Sequence, residues 1–84
     1  MTSKSFFTYM LLTINNKLYC GYTDDLEKRF QCHLSGKASK FTRANKPLNY
    51  VYTNEHQSKS EAMKEECKIK KLIRKQKEEL INIK

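Results

Sequence analysis

Two aromatic-rich runs with only Asn15, Asn16 and Lys17 between them constrain this chain most. Residues 5–14 are crowded with aromatic and branched side chains and contain neither glycine nor proline, the composition of a β-strand. Asparagine tolerates the positive φ of a tight turn. Asn15-Asn16 therefore predicts a hairpin in which residues 18–22 pair back antiparallel on the first strand. Such a hairpin sets Tyr9 and Tyr19 on adjacent strands.

The signal then changes period. Thr23 or Asp24 can accept hydrogen bonds from the free amides that open a helix, and Asp24, Asp25 and Glu27 suit its positive end. Leu26, Phe30 and Leu34 recur every fourth residue and predict its buried stripe. Arg29 and His33 share the same spacing and project from one side of the helix. Gly36 is placed to end it in a left-handed conformation. Residues 37–46 carry Lys37, Lys40, Arg43 and Lys46 with no acid and one aromatic, Phe41, before Pro47. They read as a loop, or a loop with a short turn of helix.

Residues 48–53 alternate as a third strand, and Ser58 with Glu61 offers a capping box. The helix that follows carries Ala62, Glu66, Ile69 and Ile73 in one stripe. Glu66 thus falls on an apolar face, where a carboxylate is costly unless paired or bound to a cation. Glu65, beside it, reads as an ordinary solvated residue. Residues 74–84 continue helical, with Leu80 and Ile81 folding back. The predicted order is β-β-α-β-α-α, an α+β fold.

Eighty-four residues have room for one modest core, so residues 1–84 are expected to form a single domain. A formal charge of +8, from 17 basic against 9 acidic residues, favours a polyanionic partner over a merely basic surface. Cys20, Cys32 and Cys67 are widely spaced and lack a CxxC pair, which argues against a disulfide framework or structural zinc. Reduced thiols, the absence of a signal-type run at the start and the absence of a bilayer-length apolar stretch predict a soluble cytoplasmic or nuclear protein.

Tyr9, Tyr19, Arg29, His33 and Glu66 are polar residues on elements otherwise built for burial. Each alone has an ordinary explanation: a strand tyrosine at the core rim, a snorkelling arginine, a histidine at a helix end, a Glu66–Lys70 pair. Together they are the groups phosphodiester hydrolysis uses. One glutamate can hold a hard divalent cation when water and phosphate supply the other oxygens. An arginine fork stabilises charge on phosphorus-bound oxygen, and a phenol or imidazole relays the proton of attacking water.

The ordered set Phe7-Thr8-Tyr9-Met10-Leu11, Leu18-Tyr19-Cys20-Gly21-Tyr22-Thr23, Arg29 and His33 resembles the GIY-YIG endonuclease superfamily. The likeness is to its small stand-alone bacterial and viral members and to the nuclease domain of Slx-type structure-specific endonucleases. Gly36-Lys37, Phe41-Thr42-Arg43 and the Ser-Glu-Ala opening of the Glu66 helix extend it from about residue 7 to residue 81. The resemblance implies a small three-stranded antiparallel sheet flanked by helices, in agreement with the element order. It also implies that Tyr9 and Tyr19 are the tyrosines of the two half-motifs, that Arg29 is the catalytic arginine and His33 its partner histidine. Glu66 would be the ligand of Mg2+ or Mn2+, and Gly21 would keep the strand end clear for a close backbone approach. Phe7-Thr8 stand where the pattern has Gly-Ile, and Cys20 replaces its isoleucine.

The expected activity is metal-dependent hydrolysis of DNA phosphodiester bonds in repair or recombination, guided by DNA structure rather than base sequence. Lys37, Lys40, Arg43, Lys46 and the basic carboxy-terminal helix would contact backbone phosphates. Phe41 would plug the core or stack on an unpaired base. The rival reading is a catalytically weak nucleic-acid-binding module or a subunit of a larger repair complex. A third is a structural interaction protein that binds no DNA.

Overall fold

A computed structural model of the chain describes residues 5–83. Strands β1 (Phe6–Thr13) and β2 (Leu18–Thr23) form the expected hairpin, and Asn16 takes the positive φ, 63°, in its turn. The register sets Tyr9 opposite Gly21 and Leu11 opposite Tyr19. Strand β3 (Pro47–His56) pairs with the other side of β1, giving an antiparallel sheet in the order β2-β1-β3. It is longer than the alternation over residues 48–53 predicts, because Glu55 and His56 still pair with Phe7 and Phe6 despite their polarity. The α+β architecture with a three-stranded antiparallel sheet is as expected.

Successive side chains of a strand point to opposite faces, and both faces of β1 are covered. Thr8, Tyr9, Met10 and Leu11 are each at most 2% exposed, which makes β1 the central strand of the core. On one face Tyr9 meets α1 (Leu26–Leu34), which in turn contacts α2 (Lys40–Ala44). On the other face lie α3 (Lys59–Lys70) and α4 (Arg74–Ile83). There Thr8 Oγ1 donates to the Ala62 carbonyl at 2.8 Å, and Met10, Cys20, Tyr52 and Ile69 pack together under Val51, Leu80 and Ile81. Each large apolar side chain so buried contributes about 1.5–3 kcal/mol.

The helix boundaries differ from the sequence reading in three places. Asp25, one residue later than expected, caps α1 by accepting the Lys28 N–H at 3.0 Å, while Thr23 Oγ1 accepts the Asp25 N–H at 3.1 Å. Leu34 is 43% exposed and does not join the buried stripe; the side chain α1 buries is His33, at 1%. The stripe on α3 stops at Ile69, since the helix ends at Lys70 and Ile73 is 64% exposed. Ser58 does cap α3, accepting the Glu61 N–H at 3.2 Å, and Gly36 does turn left-handed after α1, at φ 78°. Lys84, expected in the last helix, lies outside the described residues. Among the described residues no helix is long and apolar enough to cross a membrane.

Candidate active site

β2 is an edge strand, and a polar cleft of about 380 Å3 opens beside it. Tyr9 from β1, Tyr19 and Gly21 from β2, Arg29 from α1, and Lys59 and Glu66 from α3 line it. Four of the five residues singled out as chemical therefore converge from four elements on one space.

Tyr9 sets the floor. Its ring lies across Gly21, where an added Cβ would stand 2.5 Å from the phenol oxygen and 2.7 Å from Cζ. The close approach Gly21 permits is thus that of a phenol rather than of a backbone, and any other residue there would displace Tyr9. Tyr9 is 2% exposed and its Oη lies 2.8 Å from His33 Nε2. Burial, then Tyr19, push its phenol well above the ordinary value despite the opposing pull of Arg29, so it is protonated at neutral pH.

His33 is the fifth expected residue, and it does not line the cleft. It stands behind Tyr9 at 1% exposure, with Nδ1 2.7 Å from Thr42 Oγ1. Thr42 Oγ1 lies 2.9 Å from Ser39 Oγ, which caps α2 by accepting the Thr42 N–H at 3.1 Å. Burial and the Arg29 charge lower His33 to about 4, so the imidazole is neutral and one ring nitrogen donates while the other accepts. Tyr9, His33, Thr42 and Ser39 form one chain of hydrogen bonds that can run in either sense.

Tyr19 is half-buried, edge-on to His33 at 5.1 Å between centroids and stacked on Phe41 at 5.7 Å. Phe41 is thereby held half-buried against the protein's own tyrosine. Glu66 supplies the cleft's anionic wall: its side chain is 16% exposed and its Oε2 lies 3.2 Å from Lys70 Nζ. Asp24 adds a second carboxylate at the rim.

The GIY-YIG catalytic domain family matches residues 5–79. The chain belongs to the GIY-YIG family. Membership points to nuclease chemistry. The UPF0213 protein of Bacillus velezensis is 44% identical over 81 residues, 96% of this chain and 82% of that protein. The UPF0213 protein YazA of Bacillus subtilis is 38% identical over 78 residues, 93% of this chain and 79% of the relative. The solution NMR structure of the UPF0213 protein BH0048 from Bacillus halodurans superimposes with a TM-score of 0.62 at 39% identity, covering 95% of this chain and 85% of that one.

The GIY-YIG cleft has neighbours that the sequence did not announce. Tyr50 donates its hydroxyl to the Leu26 carbonyl at 2.6 Å and lies edge-on to Tyr9 at 5.2 Å; burial pushes its phenol up to about 12. In the sequence Tyr50 is only one of the alternating residues of the third strand. Lys59, an exposed first residue of α3, brings a second cation to the cleft. Glu65 is not solvated as expected. It accepts hydrogen bonds from Tyr52 Oη at 2.7 Å, His56 Nε2 at 2.7 Å and Asn54 Nδ2 at 3.0 Å. Burial raises this carboxyl, but the bonds from Tyr52, His56 and Asn54 outweigh it and hold the group below its ordinary value. Lys37, Lys40, Arg43 and Lys46 are exposed around α2, and none of them lines the cleft.

Proposed function

We propose that the protein is an endonuclease that hydrolyses DNA phosphodiester bonds with a divalent metal ion, Mg2+ or Mn2+. Its choice of substrate would follow DNA structure rather than base sequence, in repair or recombination. The observation that carries this reading is the single cleft lined together by Tyr9, Tyr19, Arg29 and Glu66.

The donor set fits a hard dication. Glu66 faces a polar cleft with an oxygen donor, Asp24 stands at the rim, and the remaining space suits water and phosphate oxygens. Glu66 would hold such an ion, which would supply positive charge to the phosphate and to the departing oxygen. Arg29 binds the phosphate from the α1 side, where its fork matches two oxygens and stabilises their growing charge. Tyr9 receives a proton from water at Oη as it passes its own to His33 Nε2, while the His33 Nδ1 proton moves to Thr42 Oγ1 and leaves through the partly exposed Ser39. The imidazole so stays neutral, and the buried phenol acts as a relay rather than as a base. His33 positions that hydroxyl, and Thr42 positions His33. Tyr19 presents a second phenol to the phosphate. Lys37, Lys40, Arg43 and Lys46 offer contacts to backbone phosphates at a distance from the chemistry.

The 3.2 Å pair between Lys70 and Glu66 favours a second reading, a nucleic-acid-binding module or subunit of a larger repair complex with weakened chemistry. In it the carboxylate's charge is already compensated by an ammonium. A nicking assay on supercoiled, linear and branched DNA with Mg2+ or Mn2+ separates the two. The endonuclease nicks DNA only with the metal, and Arg29→Ala and Tyr9→Phe each lower the rate by about a hundredfold or more. Salt-sensitive binding without metal-stimulated cleavage of any substrate supports the module instead.

A further inference from the structure

Helix α3 sorts its charges by face. Glu65 turns to β3 and Glu66 to the cleft, while Glu61 lies on the side of His56, a side that Lys64 and Lys68 also border. The opposite face is a shallow groove bordered by Lys59, Lys64, Lys68 and Lys71, with Met63 and Cys67 along its floor and no carboxylate. Among the described residues none of these four lysines has an ion-pair partner. Lys59 borders both this groove and the cleft, so the two are adjacent.

Helix stability does not account for the arrangement. Lys68 and Lys71 suit the negative end of the helix, but Lys59 is its first residue, where the dipole opposes a cation by about 0.3–1 kcal/mol. Lys64 and Lys68 repel each other one turn apart. A second copy of the same face is repelled by these charges, whereas a polyanion relieves them. From Lys59 to Lys71 the ridge spans about 18 Å at 1.5 Å per residue. That is the length of about five nucleotides at 3.4 Å per step of one strand.

We infer that the outer face of α3 is a nucleic-acid track, along which the DNA backbone passes on leaving the cleft. The inference rests on the endonuclease reading for its direction, although the surface binds a polyanion whether or not the cleft cleaves. Phosphates lie on the lysines, and the alkyl floor of Met63 and Cys67 takes the sugar edges.

The test measures binding of a fluorescent duplex by the full chain against salt concentration. The variant carries Lys64→Gln, Lys68→Gln and Lys71→Gln; the comparison carries Lys37→Gln, Lys40→Gln and Lys46→Gln; circular dichroism confirms that both fold. At about 0.9 per phosphate contact, the α3 variant lowers the slope of log affinity against log salt by about 2.7. In the unaltered protein, saturating DNA slows alkylation of Cys67, read by peptide mass, by about fivefold or more relative to free protein.

A slope unchanged in the α3 variant, or Cys67 alkylated equally fast with DNA bound, overturns the assignment. So does protection of Cys67 by polyglutamate but not by DNA, which would make the partner an acidic protein. If DNA binds through α3 but is never cut, the track stands and the endonuclease reading falls. If the unaltered protein binds no DNA even at low salt, both fall.

Discussion

His33 joins the cleft to the rest of α1 and α2, because its two nitrogens reach Tyr9 and Thr42 while its ring is sealed from solvent. Protonating it would place a charge in that interior beside Arg29. The folded chain therefore holds it near 4, against 6.5 for an unburied imidazole. The unfolded state binds the proton more readily, so this contribution to stability is complete above pH 6.5 and is lost as pH falls toward 4. At about 1.4 kcal/mol per pH unit the loss approaches about 3 kcal/mol. Urea unfolding followed from pH 7 to 4 shows that decline, and His33→Gln, which keeps one donor and one acceptor, flattens it. An equal decline in both proteins would remove His33 as its source. The apolar stripe through Leu34 misled about this face of α1. A buried phenol needs a polar partner more than it needs another aliphatic contact, and hydrophobic spacing carries no record of that need.

Among the elements, α3 matters most for the cleft because it carries Glu66 and Lys59. Thr8 ties it to β1, and Glu65 ties it to β3 through Tyr52, Asn54 and His56. Removing that carboxylate leaves three donors without an acceptor in a half-buried site. Glu65→Ala is expected to cost about 2–4 kcal/mol, measured as a lower urea midpoint at unchanged slope. A loss below about 0.5 kcal/mol would mean that the clamp is ornamental. The strands, the Ser58 cap and the glycine stop at Gly36 were legible, since each rests on local periodicity or backbone chemistry. The position of the break between α3 and α4 was not, because no glycine or proline marks it. The Ile69 carbonyl accepts the Leu72 N–H at 3.0 Å, and Gln76 Oε1 accepts the Ile73 N–H at 3.1 Å. Arg74 donates to the Asn16 carbonyl at 2.8 Å while Leu80 and Ile81 reach the core. Tertiary contacts turn the chain there.

At the scale of the molecule, the central strand is buried on both faces and the cleft forms at the free edge of β2, where the two helical layers part. The sequence supplied the residue types and the order of elements. It did not contain the depth of each side chain, which is why His33 was expected beside the substrate and lies behind Tyr9. It was also silent on Lys59 and Tyr50, whose places depend on how α3 and β3 approach the hairpin. Glu66 decides whether metal chemistry reaches that edge. The measurement is the single-turnover cleavage rate of a branched duplex, at saturating protein, as Mg2+ is raised, for the unaltered chain and for Glu66→Gln with its fold verified. The rate is expected to climb and saturate with Mg2+ in the first and to be lower by about a hundredfold or more in the second. Equal rates in the two, or cleavage indifferent to Mg2+, would contradict this role for Glu66.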